Sequence, residues 1–455
     1  MGKRISDGAS LILEHYLLVL MLLSLAALTL GGVGNATNVS QIGLVLCLAG
    51  FVQREAKVDL WVVGALAAYT LLGTLASWRV QGHFAWGYTS PQSIFLVLYL
   101  LMACMDGGEL RLFRRFSVLW AGCVAAHGLA YFLVRALTGR AGRLGGLLNN
   151  PNALGIFLAV AWFGLNAQAP GGAETGPIPA VMRRLEPLIL TVLALTLSMG
   201  SFVSLAAGML FLAAGWLRRD GWREAALQTC RMLSKAGLAV ALGVLMYFTA
   251  RMTDIPWFAL VLAGYLAALT ALWPRLDRFL RDLPWVSCAM TAAGALVAVG
   301  TVLIRPSSIA TFTERLDMMR NGLGYIAQHP IAGVGAYQWR VLNLQDADTY
   351  FNTWHIHNVL IHVAVELGLP AAAALVAVIV RHYWKKAPNR AGFTAFLVHN
   401  LMDTSFFYLG ITGLMEATAA EPQLGGKKLG SAAVKALFAA LALQFVYTLY
   451  IRVMT

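Results

Sequence analysis

LILEHYLLVLMLLSLAALTL, residues 11–30, decides the fold class. At 1.5 Å of rise per residue this run makes a helix of about 30 Å, the thickness of the hydrocarbon core of a bilayer. It is too long for the apolar part of a signal peptide and lacks a small-residue cleavage site, so it is expected to be a retained helix. Comparable runs recur at about 39–53, 58–78, 90–106, 116–137, 153–168, 185–199, 202–217, 235–251, 257–273, 285–304, 356–380, 391–416 and 432–452. Of the 455 residues 59% are hydrophobic and 12% charged, whereas a soluble chain carries about 25% charged residues. Backbone polar groups in lipid must be satisfied within each segment. The expected class is therefore all-α, a polytopic transmembrane helical bundle of 12–14 spans with one large outward loop containing short helices. The segment 185–217 is expected to be a tight hairpin or a helix broken around Met199-Gly200-Ser201. The chain divides into helices over 1–304, the outward loop over 305–355, and C-terminal helices over 356–455.

The net charge of +13 is mostly topological. Arg54–Lys57, Arg111–Arg115, Arg183-Arg184, Arg218–Lys235, Arg275–Arg281 and Arg381–Arg390 fall on alternate loops, the distribution of cytoplasmic loops. No basic domain interleaved with aromatics exists, so nucleic acid is not an expected partner. This orientation leaves both termini cytoplasmic and turns residues 305–354 and the acidic Glu416–Glu421 loop outward. The five cysteines, Cys47, Cys104, Cys123, Cys230 and Cys288, show neither a disulfide framework nor a Cys-x-x-Cys spacing.

One outward loop breaks the charge rule. Residues 135–152 hold Arg135, Arg140 and Arg143 among Gly139, Gly142, Gly145 and Gly146, followed by Asn149-Asn150-Pro151-Asn152. Short outward loops tolerate some arginines; the sharper reading is an anion site. Guanidinium forks match phosphate oxygens, glycines admit an anion to the backbone, and Asn149 or Asn150 with Pro151 starts a helix whose positive end lies beside the arginines.

The outward loop carries helical spacing at Phe312, Leu316, Met319, Leu323 and Ile326, expected as an amphipathic helix at the membrane surface with Arg315 and Arg320 projecting. His329-Pro330 stops it and Gly333-Val-Gly335 turns tightly. The loop ends at Trp354-His355-Ile-His357-Asn358, where the next apolar run begins. An imidazole ordinarily titrates near 6.5, so His357 is a candidate general base; the plain alternative is an interfacial histidine in ordinary hydrogen bonds. Asn358 is a candidate for orienting a sugar or phosphate. His355-x-His357 could ligate zinc, and Asp346-x-Asp348 resembles the acidic pair that holds a divalent cation in many nucleotide-sugar transferases, but no third ligand at helical spacing completes the set. His362 and Glu366, four apart, are expected to pair. His399, Asn400 and Asp403 are expected to bond between helices, with support of the site as the second reading. No Walker loop, HExxH or Ser-His-Asp arrangement is present.

Three segments resemble, in order, the signatures of the O-antigen ligase and polymerase superfamily: Arg143-Leu-Gly-Gly-Leu-Leu-Asn-Asn-Pro-Asn152; Arg315-Leu-Asp-Met-Met-Arg320 with His329-Pro-Ile-Ala-Gly-Val-Gly335; and His357-Asn-Val-Leu with Glu366-Leu-Gly-Leu-Pro. The resemblance implies a multi-pass glycosyltransferase of the bacterial inner membrane with a periplasmic active site, most like the lipopolysaccharide O-antigen ligase. It would take a glycan from undecaprenyl diphosphate and pass it, with inversion, to a sugar hydroxyl of the lipid A–core, with no metal or other cofactor. By the same resemblance His357 is the base, and Arg143 and Arg315 contact the diphosphate. Arg140 and Arg320 join them by proximity, with Asn358, His355 and Asn152 in support. Many members carry Ser-Arg-Gly where this chain has Ser198-Met199-Gly200; Arg251 is a candidate substitute. The alternatives are an O-antigen polymerase or protein O-oligosaccharyltransferase using the same donor, and a polyprenyl-lipid transporter.

Overall fold

The computed structural model describes residues 15–31, 35–84, 93–167, 177–252, 255, 257–303, 307–345, 351, 353–422, 424 and 426–454. These form α1 (Tyr16–Leu30), α2 (Ala36–Phe51), β1 (Glu55–Val58), α3 (Leu60–Gln81), α4 (Ser93–Cys104), α5 (Gly107–Leu137), α6 (Pro151–Ala167), α7 (Pro177–Leu195), α8 (Met199–Asp220), α9 (Trp222–Met252), α10 (Phe258–Asp282), α11 (Pro284–Leu303), α12 (Ser307–Gln328), α13 (Gln338–Gln345), α14 (Val359–Leu367), α15 (Leu369–Trp384), α16 (Arg390–Asn400), α17 (Leu409–Ala419), β2 (Lys427–Gly430) and α18 (Ser431–Met454). Six of these helices, α3, α5, α8, α9, α10 and α18, are long and apolar enough to cross a membrane, and α1, α2, α4, α6 and α15 are shorter apolar helices. The all-α polytopic class holds. The chain divides into two compact units, residues 1–117, 315–388 and 400–455, and residues 118–314 and 389–399.

In the first unit, α2 and α18 pack at close range. A Cβ on Gly43 or Gly50 would lie 2.4 Å from the rings of Phe445 and Phe438 respectively, so only glycine admits the two phenylalanines. These pairs run in opposite order along the two helices, which are therefore antiparallel. α4 is buried on nearly every side.

Three contacts in this unit correct the expected topology. Glu55–Val58 pairs antiparallel with Lys427–Gly430. Arg114 bonds the Ala420 carbonyl and the Glu421 carboxylate, both at 2.7 Å. Lys385 Nζ donates to the Leu424 carbonyl at 3.1 Å. Ala420, Glu421, Leu424 and Lys427–Gly430 thus lie at the same end of the unit as the basic segments 54–57, 111–115 and 381–385, not at the opposite one. The positive-inside rule weighs Lys and Arg while acidic residues count little, so Glu416 and Glu421 carried no reliable sign. With 427–430 at that end, α18 runs from it to the other, where Gln444 bonds the Phe84 carbonyl. His15 contacts Glu109 and Tyr16 contacts Gln53 at the basic end. Tyr16 and the last turn of α18 therefore lie at opposite ends of the unit.

Two expected spans are not single helices. The run 356–380 breaks at Gly368 (φ +89), where a Cβ would sit 2.0 Å from the Ile331 carbonyl oxygen; only glycine serves there. The run 391–416 is α16 and α17, each of 11 residues and about 16 Å long, half a membrane thickness. Lys385 and Glu421 both sit at the basic end, while the intervening turn at 401–408 reaches the contacts described below. The segment is re-entrant: it enters and leaves at the same end. Apolar content cannot distinguish a re-entrant pair from one span, because both are buried in apolar surroundings.

In the second unit, α6 is buried almost throughout. The break expected between 185 and 217 falls at Thr196–Ser198, with Leu197 at φ +46 and Ser198 capping α8 through Ser201 N–H. At the Arg183, Lys235 and Arg275 end, Glu186 accepts the indole N–H of Trp162 (3.1 Å) and Trp273 (2.6 Å) and pairs with Lys235 (2.9 Å). Lys235 also reaches Asp277 (3.1 Å), which pairs with Arg231. Each buried charge in this network has a partner of opposite sign, the condition under which charge is tolerated there.

Candidate active site

The helix expected over Phe312–Ala327 is α12, and it ends at His329-Pro330 as the proline requires. Arg315 on α12 donates to the Met402 carbonyl, and its second terminal nitrogen lies 3.4 Å from Asp403 Oδ2. Asp403 is 5% exposed; its Oδ1 accepts the Thr404 N–H at 2.8 Å. The same Oδ1 lies 4.0 Å from His357 Nδ1. Asn358 caps α14 by accepting Ile361 N–H at 3.1 Å, and its amide donates to the Leu401 carbonyl at 3.3 Å. His357, Arg315 and the 401–403 turn therefore converge on one carboxylate.

Asp403 is the residue that sequence reasoning undervalued. It sits in the middle of an apolar run, a position that predicts burial inside a span. The re-entrant turn carries it to His357, and Asn400 holds the turn by accepting the Phe406 N–H at 2.7 Å. A carboxylate facing Nδ1 favours the tautomer with its proton there, leaving Nε2 as the acceptor. It also stabilises the imidazolium formed when Nε2 takes a proton. The separation exceeds a hydrogen bond by about 1 Å, a looseness common before substrate tightens such contacts.

His355 does something different. Its ring stacks on Phe407 with centroids 4.4 Å apart and meets His362 edge-on at 5.0 Å. It is buried, and Nε2 has no hydrogen-bond partner among the described residues. Burial first, and the neighbouring His357 second, push its pKa down to about 3. It stays neutral at any ordinary pH and packs behind His357. His362 Nε2 lies 3.6 Å from Glu366, as the spacing predicts. Asp346 and Asp348 lie outside the described residues, and among the described residues no three His, Cys, Asp or Glu side chains gather as ligands.

The expected anion loop lies in the second unit. Asn150 is the cap of α6, accepting the N–H groups of Asn152 (2.8 Å) and Ala153 (3.2 Å). Arg143 reaches the Thr196 carbonyl through Nε (3.0 Å) and Asn152 Oδ1 through Nη2 (2.9 Å), with the side chain still solvent-exposed. Asn152 therefore orients Arg143 at the start of α6. Arg251 donates to the Ala141 carbonyl at 3.0 Å, which brings the candidate substitute for the missing Ser-Arg-Gly arginine onto this loop. Met199 is the first residue of α8. Arg140 is exposed. Arg320 is also exposed, but five residues from Arg315 means about 140° around α12, so the structure does not aim the two together. His399 is buried, 3.4 Å from Ser201 Oγ, an interhelical bond.

A family model described as O-antigen ligase matches residues 188–376, which include the Arg315 and His357 segments but not the Arg143 segment. The match bears out the resemblance to that superfamily. No curated protein matches the chain.

Proposed function

We propose that this member of the O-antigen ligase superfamily is an O-antigen ligase of the inner membrane. It moves a polysaccharide from undecaprenyl diphosphate to a sugar hydroxyl of the lipid A–core at the periplasmic face. His357 Nε2 takes the proton of the acceptor hydroxyl as its oxygen attacks the anomeric carbon from the side opposite the diphosphate. The carbon–oxygen bond to the diphosphate breaks, its electron pair leaves with undecaprenyl diphosphate, and the anomeric configuration inverts. Arg315 and Arg143 neutralise charge growing on the leaving diphosphate, with Arg140 and Arg251 as further cationic donors beside Arg143. No metal step is required by this scheme.

The observation that carries the proposal is the contact of one buried carboxylate, Asp403, with both His357 and Arg315. It couples a base to a cation that suits phosphate. Sidedness supports it as well. The basic segments gather at one end of the first unit, while the Gly333 carbonyl before the site accepts from Arg79 (2.6 Å) near the far end of α3. A cytoplasmic basic end leaves His357 facing out.

The test is transfer by purified, reconstituted protein given donor and acceptor. His357→Ala and His357→Gln lower turnover at least ~100-fold while insertion and melting stay normal. Turnover within a few-fold of wild type overturns the assignment. Supplying a second lipid-linked glycan or a protein in place of the lipid A–core separates ligase from polymerase and from protein glycosylation.

A further inference from the structure

Trp354 lies three residues before His357, so its Cα is within about 11 Å of the base. It is large, apolar and 46% exposed. The Arg340 guanidinium carbon lies 3.4 Å from its ring centroid, and Tyr337 meets it edge-on at 6.3 Å and 82°. An exposed indole with a guanidinium on it can bind chemistry that is part apolar and part hydroxyl.

The local structure holds this group with unusual care. Tyr337 has φ +73, a left-handed conformation that a bulky residue rarely adopts. It is kept there by bonds on both sides. Glu366 accepts the backbone N–H groups of Tyr337 and Trp339. Val334 N–H bonds the Val365 carbonyl at 2.7 Å and Gly335 N–H the Glu366 carbonyl at 2.9 Å. Trp339 is fully buried with Met318, Ile356 and Val365. On the other strand of the loop, buried Asn343 of α13 makes two bonds to the Phe351 backbone, which sets Arg340 beside Trp354. Strain maintained by this many contacts points to a function for the side chains it aims.

We propose that Trp354, with Arg340 stacked on it and Tyr337 at its edge, is a platform that seats a pyranose ring next to His357. The C–H face of the sugar lies on the aromatic surface, and ring hydroxyls accept from the guanidinium. Both sources of such a ring, the first sugar of the lipid-linked donor and the terminal sugar of the acceptor, present the same chemistry. The proposal rests on the transferase reading of His357.

The experiment is steady-state transfer by the full-length reconstituted protein, varying donor and acceptor separately. Trp354→Leu keeps an apolar side chain of adequate bulk without a π-face. It raises the KM of one substrate roughly 10-fold with kcat changed less than about 3-fold, and Trp354→Phe recovers most of that loss. A shift in acceptor KM assigns the platform to the acceptor sugar; a shift in donor KM assigns it to the donor. Arg340→Gln moves the same KM as Trp354→Leu. Unchanged KM values for both substrates in folded Trp354→Leu, or equal effects of Leu and Phe, overturn the platform. If His357→Ala is active, the transferase reading fails; if it is inactive and Trp354→Leu is normal, only the platform fails.

Discussion

Asp403→Asn is the most discriminating perturbation. The side chain keeps its shape and an oxygen for Arg315, but the charge facing His357 disappears. At 4.0 Å and an effective dielectric near 20, a carboxylate stabilises an imidazolium by about 4 kcal/mol. The His357 side chain is 22% exposed, and proton transfer is incomplete at the transition state; together these halve the effect to about 2 kcal/mol. That is roughly a 30-fold fall in kcat, with KM values little altered because neither substrate touches Asp403 in the proposed scheme. Asp403→Ala removes the Arg315 contact too and lowers kcat further. The assay is single-time-point and full progress-curve transfer in proteoliposomes at saturating donor and acceptor, with melting in detergent as the control, since a buried charge pair is being altered. A folded Asp403→Asn protein with wild-type kcat, beside an inactive His357→Ala, refutes the positioning role.

Arg143→Lys cannot bridge the Thr196 carbonyl and Asn152 as the guanidinium fork does; donor KM or kcat is expected to worsen at least ~10-fold, and unchanged donor kinetics would remove Arg143 from the site. Gly368→Ala places a methyl 2.0 Å from the Ile331 carbonyl in a left-handed conformation, so a loss of at least ~2 kcal/mol, read as a fall in melting temperature, is expected. The folded-state pKa of His355 is near 3, below its free value. Between pH 6.5 and 3 the unfolded chain binds the extra proton, so stability falls as pH drops through that window, by about 1.4 kcal/mol per unit; melting at pH 7.0 and 5.5 measures it, and His355→Phe flattens the dependence. In a cysteine-free background, cysteines at Arg54 and Leu424 are labelled from the same side of the membrane and one at Val453 from the other; labelling of Leu424 with Val453 would overturn the re-entrant topology.

The fold class was legible in residues 11–30 and the runs like them, because burial in lipid demands long apolar segments whatever the tertiary contacts are. The amphipathic α12, its stop at Pro330, the Asn150 cap and the His362–Glu366 pair followed from local spacing and local chemistry, which a short window contains. The candidates Arg315, His357 and Arg143 were legible as residue types in a pattern. The tertiary structure decided the rest. A break at Gly368 depends on how closely Ile331 approaches it, and the re-entrant path of 391–416 depends on Arg114 and Lys385 meeting residues more than thirty positions away in sequence. Asp403 looked like an interhelical hydrogen-bonding residue because its role is conferred by that path, which brings its carboxylate to two groups from different segments. Local periodicity records which faces are apolar, but it holds no information on which distant group a buried charge will meet.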